Sequence, residues 1–198
     1  MNDIGPLPLP NTLESRDLPL KEIAGFSFVR IHAREQSALY FGRTNRFRFD
    51  APHQEYGALY MAEQLAGAFA ETFADVWSTQ GTYNMVSASR VETRCVSRLP
   101  LTRAITVCDL TGSGLAQIGA DGRLTSGDRQ IAQQWAYAIW QHPAVVDGIR
   151  YRVRHDLEEI AIALFDRAST AITANAPSDL AEDPTLVEVL ARYKVALL

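Results

Sequence analysis

The sequence predicts an α+β fold in which a mixed β-sheet core is flanked by helices. Short runs of β-branched and aromatic residues alternate irregularly with a few amphipathic segments, which is untypical of a regular doubly wound sheet. The chain also contains neither a GxGxxG sequence after a strand-like run nor a GxxxxGK[ST] sequence. The two common nucleotide-binding fingerprints are therefore absent, and any nucleotide chemistry needs another scaffold.

The composition indicates one compact domain. The chain has 198 residues, of which 47% are hydrophobic and 21% charged, with a net charge of −4. Such a balance supports a sizeable core and disfavours direct nucleic-acid binding, which usually needs a basic surface. We find no signal-peptide pattern and no apolar run of membrane-spanning length, so the expected location is the cytoplasm. Cys95 and Cys108 lie in apolar runs and are expected to be reduced core thiols, and no metal-ligand spacing appears.

Three regions are expected along the chain. Residues 1–22 form an extended proline-rich N-terminal arm, because Pro6, Pro8, Pro10 and Pro19 disfavour helix and ladder pairing. Residues 23–170 are expected to form the main domain. Residues 171–198 form a C-terminal linker and a helix that packs on that domain.

Strands are predicted where β-branched and aromatic residues cluster, and helices where apolar residues recur at helical spacing. The predicted strands are 26–31, 56–62, 85–98, 103–110, 147–153 and 159–165, and the predicted helices are 63–77, 115–120, 128–140 and 184–197. Asp128 is expected to cap the third helix, and Pro184 suits the first turn of the last. Core faces are expected at Leu65, Phe69, Phe73 and Val76, and at Ile131, Trp135, Ala138 and Ile139.

Glu71 is the first candidate for chemistry. It lies nearly opposite the apolar face of its helix, so it is either a solvated glutamate or a carboxylate lining a cleft. Its side of the helix also carries Gly67, Ala70 and Ala74, and small residues allow a neighbouring backbone to approach closely. A carboxylate at the edge of such a packed face would need a partner.

Arginines and aromatic residues supply the remaining candidates. Arg30 lies inside an apolar strand and forms either a structural ion pair or a phosphate clamp, since guanidinium groups match phosphate oxygens bidentately. Arg46 and Arg48 alternate with Phe47 and Phe49, a pattern that suits phosphate binding with ring stacking or an ordinary edge strand. Tyr60 precedes the helix of Glu71 and on its own is expected to be a core tyrosine with a satisfied hydroxyl.

Taken together, these residues resemble the RES domain family, which is similar to ADP-ribosyltransferase toxins. The family typically shows an arginine in a "WRI"-like strand, then "RFD.P", then "(F/Y)GVLY(L/M)A…..A(F/L)…E". This chain has Arg30-Ile31, RFDAP at 48–52, YGALYMA at 56–62 and AFAE at 68–71. CDLTGSGLAQIGAD and QQWAYAIWQHPAVVDGIRYRVRHD resemble the family's "DLTG.GL..LGAD" and "Q.WA.AI…..DGI.Y.SR", and the likeness covers about residues 24–168.

The resemblance implies NAD as the substrate and residues 23–170 as the NAD-binding catalytic domain. A carboxylate at Glu71 would stabilise the positive charge that develops on the ribose as the nicotinamide bond breaks. Arg30 and Arg48 would bind the diphosphate, and Tyr60 would pack on the nicotinamide or its ribose as a further catalytic residue. Val153 stands where the family motif has a serine, at a position expected to contact NAD, so a weakened enzyme is expected.

The resemblance also implies a biological context. The family consists of toxins that are paired with helix-turn-helix (Xre-type) antitoxins and that degrade NAD, as glycohydrolases or phosphorolases. Transfer of ADP-ribose to a protein is the alternative activity, and a RES-like binding protein that has lost catalysis is the alternative outside enzymes. A homodimer is a further expectation, based on the resemblance and the proline-rich arm.

Overall fold

An eight-stranded mixed β-sheet forms the centre of the molecule. The computed structural model describes residues 7–198, apart from the side chains of Val76 and Gln80. The strands of the large sheet are β1 (Leu20–Ile23), β2 (Ser27–Ala33), β3 (Ala58–Ala62), β6 (Arg94–Pro100), β7 (Ile105–Asp109), β8 (Gly148–Val153), β9 (Asp156–Phe165) and β10 (Ser178–Asp179). Their spatial order is β1-β7-β8-β9-β3-β2-β6-β10. The β7–β8 pair is parallel, and the other pairs are antiparallel.

A small second sheet and six α-helices complete the described fold. The small sheet consists of β4 (Ser78–Gln80), β5 (Tyr83–Val86) and β11 (Val195–Leu197). The helices are α1 (Leu65–Phe73), α2 (Ala88–Glu92), α3 (Gly114–Gln117), α4 (Arg123–Ser126), α5 (Arg129–Gln141) and α6 (Leu186–Arg192). Short 3-10 helices cover Leu13–Ser15, Ala74–Val76, Asp166–Ala171 and Leu180–Glu182. None of the helices described within residues 7–198 has the length and apolar character that a membrane span requires. The predicted α+β class with a mixed sheet is confirmed.

Each face of the large sheet buries its own apolar cluster, because side chains alternate along a strand. The larger cluster joins α1 and α5 to one face and includes Phe69, Trp135, Tyr151 and Phe165. The smaller cluster covers the other face and includes Phe28, Leu59, Met61, Leu99, Ile105, Val107, Ile162 and Leu164. Central strands are therefore apolar on both faces.

The sheet opens between β2 and β3. Along β2, seven residues pair with β6, and along β3, five pair with β9, whereas β2 and β3 pair only at Val29 and Ala62. Backbone groups beyond this point are free to meet side chains instead of a neighbouring strand. Arg30 directly follows Val29, so the opening lies beside the first candidate residue.

Several predicted elements are confirmed, and two are wrong in part. The Asp128 carboxylate accepts hydrogen bonds from the Gln130 and Ile131 amides at 2.7 and 3.3 Å, as expected of a cap. The predicted strand 85–98 is interrupted by α2, in which only Val91 is buried. The predicted helix 184–197 ends at Arg192, because Lys194 adopts a φ of 48°, a left-handed conformation that stops a helix. The chain then continues as β11.

Both predicted core faces are largely as expected. Leu65, Phe69 and Phe73 are buried on α1, and Trp135 and Ile139 are buried on α5. Ile131 and Ala138 are only partly buried and pack at the margin of the cluster. The fourth predicted residue on α1, Val76, lies in the 3-10 helix after it, and its side chain is outside the described part.

The proline-rich arm packs on the body of the protein from Leu7 onward. Leu7, Leu13 and Leu18 are buried in the larger cluster. The indole nitrogen of Trp135 donates to the Pro8 carbonyl at 2.9 Å. Residues 1–6, including Pro6, lie outside the described residues. The arm ends in β1, which pairs with β7 at the edge of the large sheet.

Candidate active site

Arg30 is a partly buried cation that has no charged partner among residues 7–198. Its Nη1 donates to the Tyr60 carbonyl at 3.2 Å, across the opening between β2 and β3. Its Nε is buried and has no hydrogen-bond partner. Burial lowers the pKa of Arg30 to about 10, partly opposed by Tyr40. The structural ion pair that the sequence left open is not found among residues 7–198, and a buried cation in this state favours an anionic ligand.

Glu71 lies on the side of α1 that faces strands β8 and β9. One turn before it, a Cβ on Gly67 would lie 3.1 Å from Glu159 Oε2 and 3.2 Å from the Ala62 Cβ. Ala70 and Ala74 are also buried. The small residues therefore do admit close packing, as predicted, and Glu71 stands at the edge of the packed face with its side chain still reached by solvent.

Tyr151 contacts the Glu71 carboxylate. Its hydroxyl donates to Glu71 Oε2 at 3.0 Å from the neighbouring strand β8. The pKa of Glu71 is raised, first because the surrounding protein displaces water from the carboxylate, and further by the negative charge of Asp75. The hydrogen bond from Tyr151 and the positive charges of Arg48 and Arg154 act in the opposite direction. The Glu71 carboxylate therefore combines solvent access with one direct hydrogen bond from Tyr151.

The buried carboxylate of Asp50 shapes the loop that follows Gly42. Its Oδ2 accepts from the Thr44 hydroxyl and from the Arg46 and Phe47 amides at 3.1, 2.9 and 3.1 Å. Its Oδ1 accepts from the Tyr60 hydroxyl at 2.9 Å. Side-chain bonds of this kind fix a loop in one conformation. Asp50 thereby sets the positions of the arginines and aromatic residues that the sequence singled out.

Tyr60 supports both Arg30 and the Asp50 loop. Its carbonyl accepts from Arg30, and its hydroxyl accepts from the Phe49 amide at 3.0 Å while donating to Asp50. The hydroxyl is thus satisfied, as expected for a core tyrosine. The ring of Phe47, 57% exposed, lies 5.4 Å from the Tyr60 ring. Phe47 therefore offers the accessible aromatic surface at this position, in front of Tyr60.

Arg48 extends from the same loop toward Glu71. It is partly buried, and its Nη1 donates to the Gly127 carbonyl at 2.9 Å. Burial and the nearby charge of Arg154 lower the pKa of Arg48, and the Glu71 carboxylate opposes this. Arg46 is exposed on the same loop. Arg48 is therefore a cation next to Glu71 without a direct ion pair to it among the described contacts.

These residues form one connected site. Arg30 contacts Tyr60, Tyr60 contacts Asp50, and the Asp50 loop carries Arg48. The loop's Phe49 ring meets the edge of the Tyr151 ring at 4.8 Å, and Tyr151 contacts Glu71. Arg30, Arg48, Tyr60 and Glu71, far apart in sequence, are thus linked through direct contacts.

Val153 lies differently from the expectation. It follows Tyr151 by two residues on β8 and shares its face, but its side chain is fully buried in the larger apolar cluster. The expected ligand contact does not fit this position, since no surface of the side chain is accessible.

A serine at residue 153 is expected to weaken the protein rather than to restore activity. Val153→Ser leaves a small cavity and a hydroxyl in an apolar environment, at a cost of about 1–3 kcal/mol. We expect a lower melting temperature and no gain in nicotinamide release from NAD. Thermal unfolding and steady-state assays of both proteins measure this. Faster release by the serine variant would show that residue 153 acts in the site.

Sequence reasoning missed three residues of this site. Tyr151 and Arg154 lie within the stretch that resembles "DGI.Y.SR", and Asp50 within "RFD.P", but no role followed from either. Arg154 Nη2 pairs with Asp75 Oδ1 at 2.5 Å, one helical turn beyond Glu71. The sequence signal was the placement of these polar residues beside apolar strand residues. Among the described residues, no group of three or more His, Cys, Asp or Glu is placed to hold a metal ion.

Comparisons with known proteins find one matching family model and a solved structure with a similar fold. The family model described as "RES domain" matches residues 27–186. A chain of the crystal structure of the M. tuberculosis MbcT–MbcA toxin–antitoxin complex has a similar fold, with a TM-score of 0.63 and 14% sequence identity. The match covers 86% of this chain and 90% of that chain. The comparison with curated protein sequences finds no match.

Proposed function

We propose that this chain, which belongs to the RES domain family, is a toxin that degrades NAD by breaking the bond between nicotinamide and ribose. One observation carries the proposal. A partly buried guanidinium without an ion pair among the described residues, Arg30, belongs to the same connected site as a partly desolvated carboxylate, Glu71. NAD carries a diphosphate for the first group and a cleavable cationic glycoside for the second.

The two arginines supply the binding of the diphosphate. Arg30 is only partly buried, and its Nη2 has no hydrogen-bond partner among the described residues, so a phosphate oxygen there would pair with the cation. Arg48 adds a second cation on the loop fixed by Asp50. The accessible ring of Phe47 offers a surface on which the nicotinamide can stack. Binding of this kind fixes the ribose relative to Glu71.

Glu71 supplies the chemistry. When the C1′–N bond breaks, nicotinamide leaves as a neutral molecule with the bonding electron pair, and positive charge develops on the ribose. A deprotonated Glu71 stabilises that charge. The ribose carbon then bonds to an acceptor, and with water the products are ADP-ribose, nicotinamide and one proton. The acceptor is water or phosphate for the proposed glycohydrolase or phosphorolase.

Nicotinamide release from NAD by the purified protein tests the proposal. Reactions in buffer with and without inorganic phosphate separate hydrolysis from phosphorolysis by their products, which chromatography resolves. Labelled ADP-ribose attached to a protein would instead support a protein ADP-ribosyltransferase. Binding of NAD without any release would favour the RES-like binding protein. Absence of both binding and release would refute the proposal.

We further propose that the toxin acts in the cytoplasm and is inhibited by a helix-turn-helix (Xre-type) antitoxin that covers Glu71 and Arg30. The similar fold belongs to a chain of a toxin–antitoxin complex, and Phe47 presents an apolar side chain beside the site. We expect expression of the chain alone to arrest growth and co-expression of the antitoxin to restore it. If Glu71→Gln arrested growth as strongly as the wild type does, the link between growth arrest and Glu71 would be contradicted.

We also propose that the protein forms a homodimer, which light scattering on the purified protein tests.

A further inference from the structure

We infer that Tyr151 is the positioning residue of the proposed reaction and that its hydroxyl orients the Glu71 carboxylate toward the substrate. The inference rests on the proposed function, because it names the group that prepares the proposed catalytic carboxylate. Tyr151 itself does not touch the reacting atoms. Its effect passes through Glu71.

The position of Tyr151 is fixed on several sides. The residue is 4% exposed and belongs to β8, which lies between β7 and β9 in the large sheet. The Phe49 ring meets its ring edge-on at 4.8 Å. A hydroxyl held in this way has little freedom to follow a moving carboxylate, so the carboxylate adopts the orientation that the hydroxyl allows.

The hydrogen bond uses only one of the two carboxylate oxygens. Tyr151 donates its one hydroxyl proton to Oε2, and Oε1 has no hydrogen-bond partner within residues 7–198. Oε1 is thus the oxygen available to the ribose. Loss of the hydroxyl would free rotation about the last side-chain bond, and correct orientation of a reacting group has a large effect on rate.

The other charged groups around Glu71 do not fix its orientation. Asp75, on the 3-10 helix that continues α1, repels the carboxylate, while Arg48 on the loop and Arg154 at the end of β8 attract it at longer range. Arg154 is directly paired with Asp75 instead. Tyr151 therefore provides the direct polar contact, and this contact also favours the deprotonated form.

The inference explains why a buried valine at residue 153 is compatible with a functional site. The hydroxyl at residue 151 already orients the carboxylate, from the same face of the same strand. A second hydroxyl two residues further along would be buried under the apolar cluster that contains Val153. The hydroxyl that contacts the Glu71 carboxylate is thus that of Tyr151, and residue 153 is not needed for this contact.

The test is the pKa of Glu71, measured by NMR on protein carrying 13C-labelled glutamate, with the resonance assigned by Glu71→Gln. Tyr151→Phe keeps the ring and removes the hydroxyl. Because a hydrogen bond to the charged form lowers a carboxyl pKa, its loss is expected to raise the Glu71 pKa by roughly one unit. Tyr56→Phe is the matched control, since Tyr56 is also fully buried and its hydroxyl donates to the Phe49 carbonyl instead. The control is expected to leave the Glu71 pKa unchanged.

A pKa of Glu71 that is equal in wild type and Tyr151→Phe would overturn the inference, as would an equal rise in Tyr56→Phe. Should Tyr151→Phe fail to fold, the wild-type protein with 13Cζ-labelled tyrosine gives the same information. The Tyr151 resonance is expected to titrate together with Glu71, and a resonance that does not change through that titration would also overturn the inference.

Kinetics extend the test to the proposed reaction. The rate of nicotinamide release is expected to fall as pH drops through the Glu71 pKa, and this fall should begin at higher pH in Tyr151→Phe. We expect kcat at neutral pH to drop about tenfold, with KM for NAD changed less than about twofold. Wild type without nicotinamide release would refute the proposed function, while the NMR titration would still decide on the contact between Tyr151 and Glu71.

Discussion

Replacement of Glu71 by glutamine is expected to slow nicotinamide release from NAD by at least about a hundredfold, since groups that stabilise transition-state charge contribute effects of this size. Glutamine keeps the shape of the side chain and the hydrogen-bond acceptor for Tyr151, but it lacks the negative charge that the developing ribose cation requires. NAD binding should change little, because the diphosphate is bound elsewhere in the site. Steady-state release and calorimetric NAD binding on the same samples measure both quantities.

The matched control is Glu158→Gln. The Glu158 side chain is 90% exposed and pairs with Arg192 at 3.6 Å, away from the proposed site. Its neutralisation is expected to leave release unchanged. Equal release by wild type and Glu71→Gln, or an equal loss in Glu158→Gln, would contradict the assignment of Glu71.

Stability measurements on Glu71→Gln separate a catalytic role from a structural one. The folded-state pKa of Glu71 is raised, chiefly by desolvation, so the charged form is less favourable in the folded protein than in the unfolded chain. Above the folded pKa the wild type bears this cost in full, and the cost disappears as the pH falls below the unfolded value. Glu71→Gln is therefore expected to melt slightly higher than wild type near pH 7, with the difference vanishing toward pH 4. If Glu71 instead stabilised the fold, Glu71→Gln would melt at a lower temperature than the wild type near pH 7.

The sequence was sufficient for the class of fold because its signals are local. Runs such as FSFVRI and the spacing of Leu65, Phe69 and Phe73 depend on periodicity within one element, and Asp128 caps a helix from the adjacent residue. The small residues around Glu71 likewise indicated a packed face. These features predict which elements form and which side of each is buried.

The remaining features depend on contacts between distant segments. The link between Tyr151 and Glu71 joins residues 80 positions apart, and the opening between β2 and β3 is a property of strand order. The alternation of side chains along β8 places Val153 on the same face of the sheet as Tyr151, but it does not indicate how deeply Val153 is buried. The motif therefore pointed to residue 153, whereas the hydrogen bond to Glu71 comes from Tyr151.

The ionic state of Arg30 also required the structure. In the sequence, an arginine in an apolar strand is compatible with an ion pair or with a ligand site. Only the arrangement around β2 shows a guanidinium that meets a carbonyl and leaves Nε without a partner. The two cases predict opposite effects of removing the Arg30 side chain: loss of an ion pair would lower stability, whereas loss of a ligand-binding cation would lower NAD affinity.

Arg30→Ala is expected to reduce NAD affinity by roughly ten- to a hundredfold or more, since hydrogen bonds to charged groups contribute about 1.5–3 kcal/mol each. Arg30→Lys should recover only part of this loss, because lysine retains the charge but cannot form the paired contacts of a guanidinium. Calorimetry in the Glu71→Gln background avoids turnover during the titration. Arg34→Ala is the matched control, because Arg34 is exposed, follows the same strand and is already paired with Asp179 at 2.5 Å.

The stability of these variants distinguishes a ligand-binding arginine from a structural one. Removal of a cation from a structural ion pair leaves a buried carboxylate without its partner and is strongly destabilising. Arg30 has no such carboxylate among the described contacts, and burial lowers its pKa to about 10. In the free protein this partly desolvated charge therefore meets a carbonyl but no counter-ion. Arg30→Met, which preserves much of the aliphatic volume, is therefore expected to melt at or above the temperature of the free wild type and to lose the stabilisation that NAD confers on the wild type. A large loss of stability without NAD, combined with unchanged NAD affinity, would assign Arg30 to the fold and leave the diphosphate without its principal ligand.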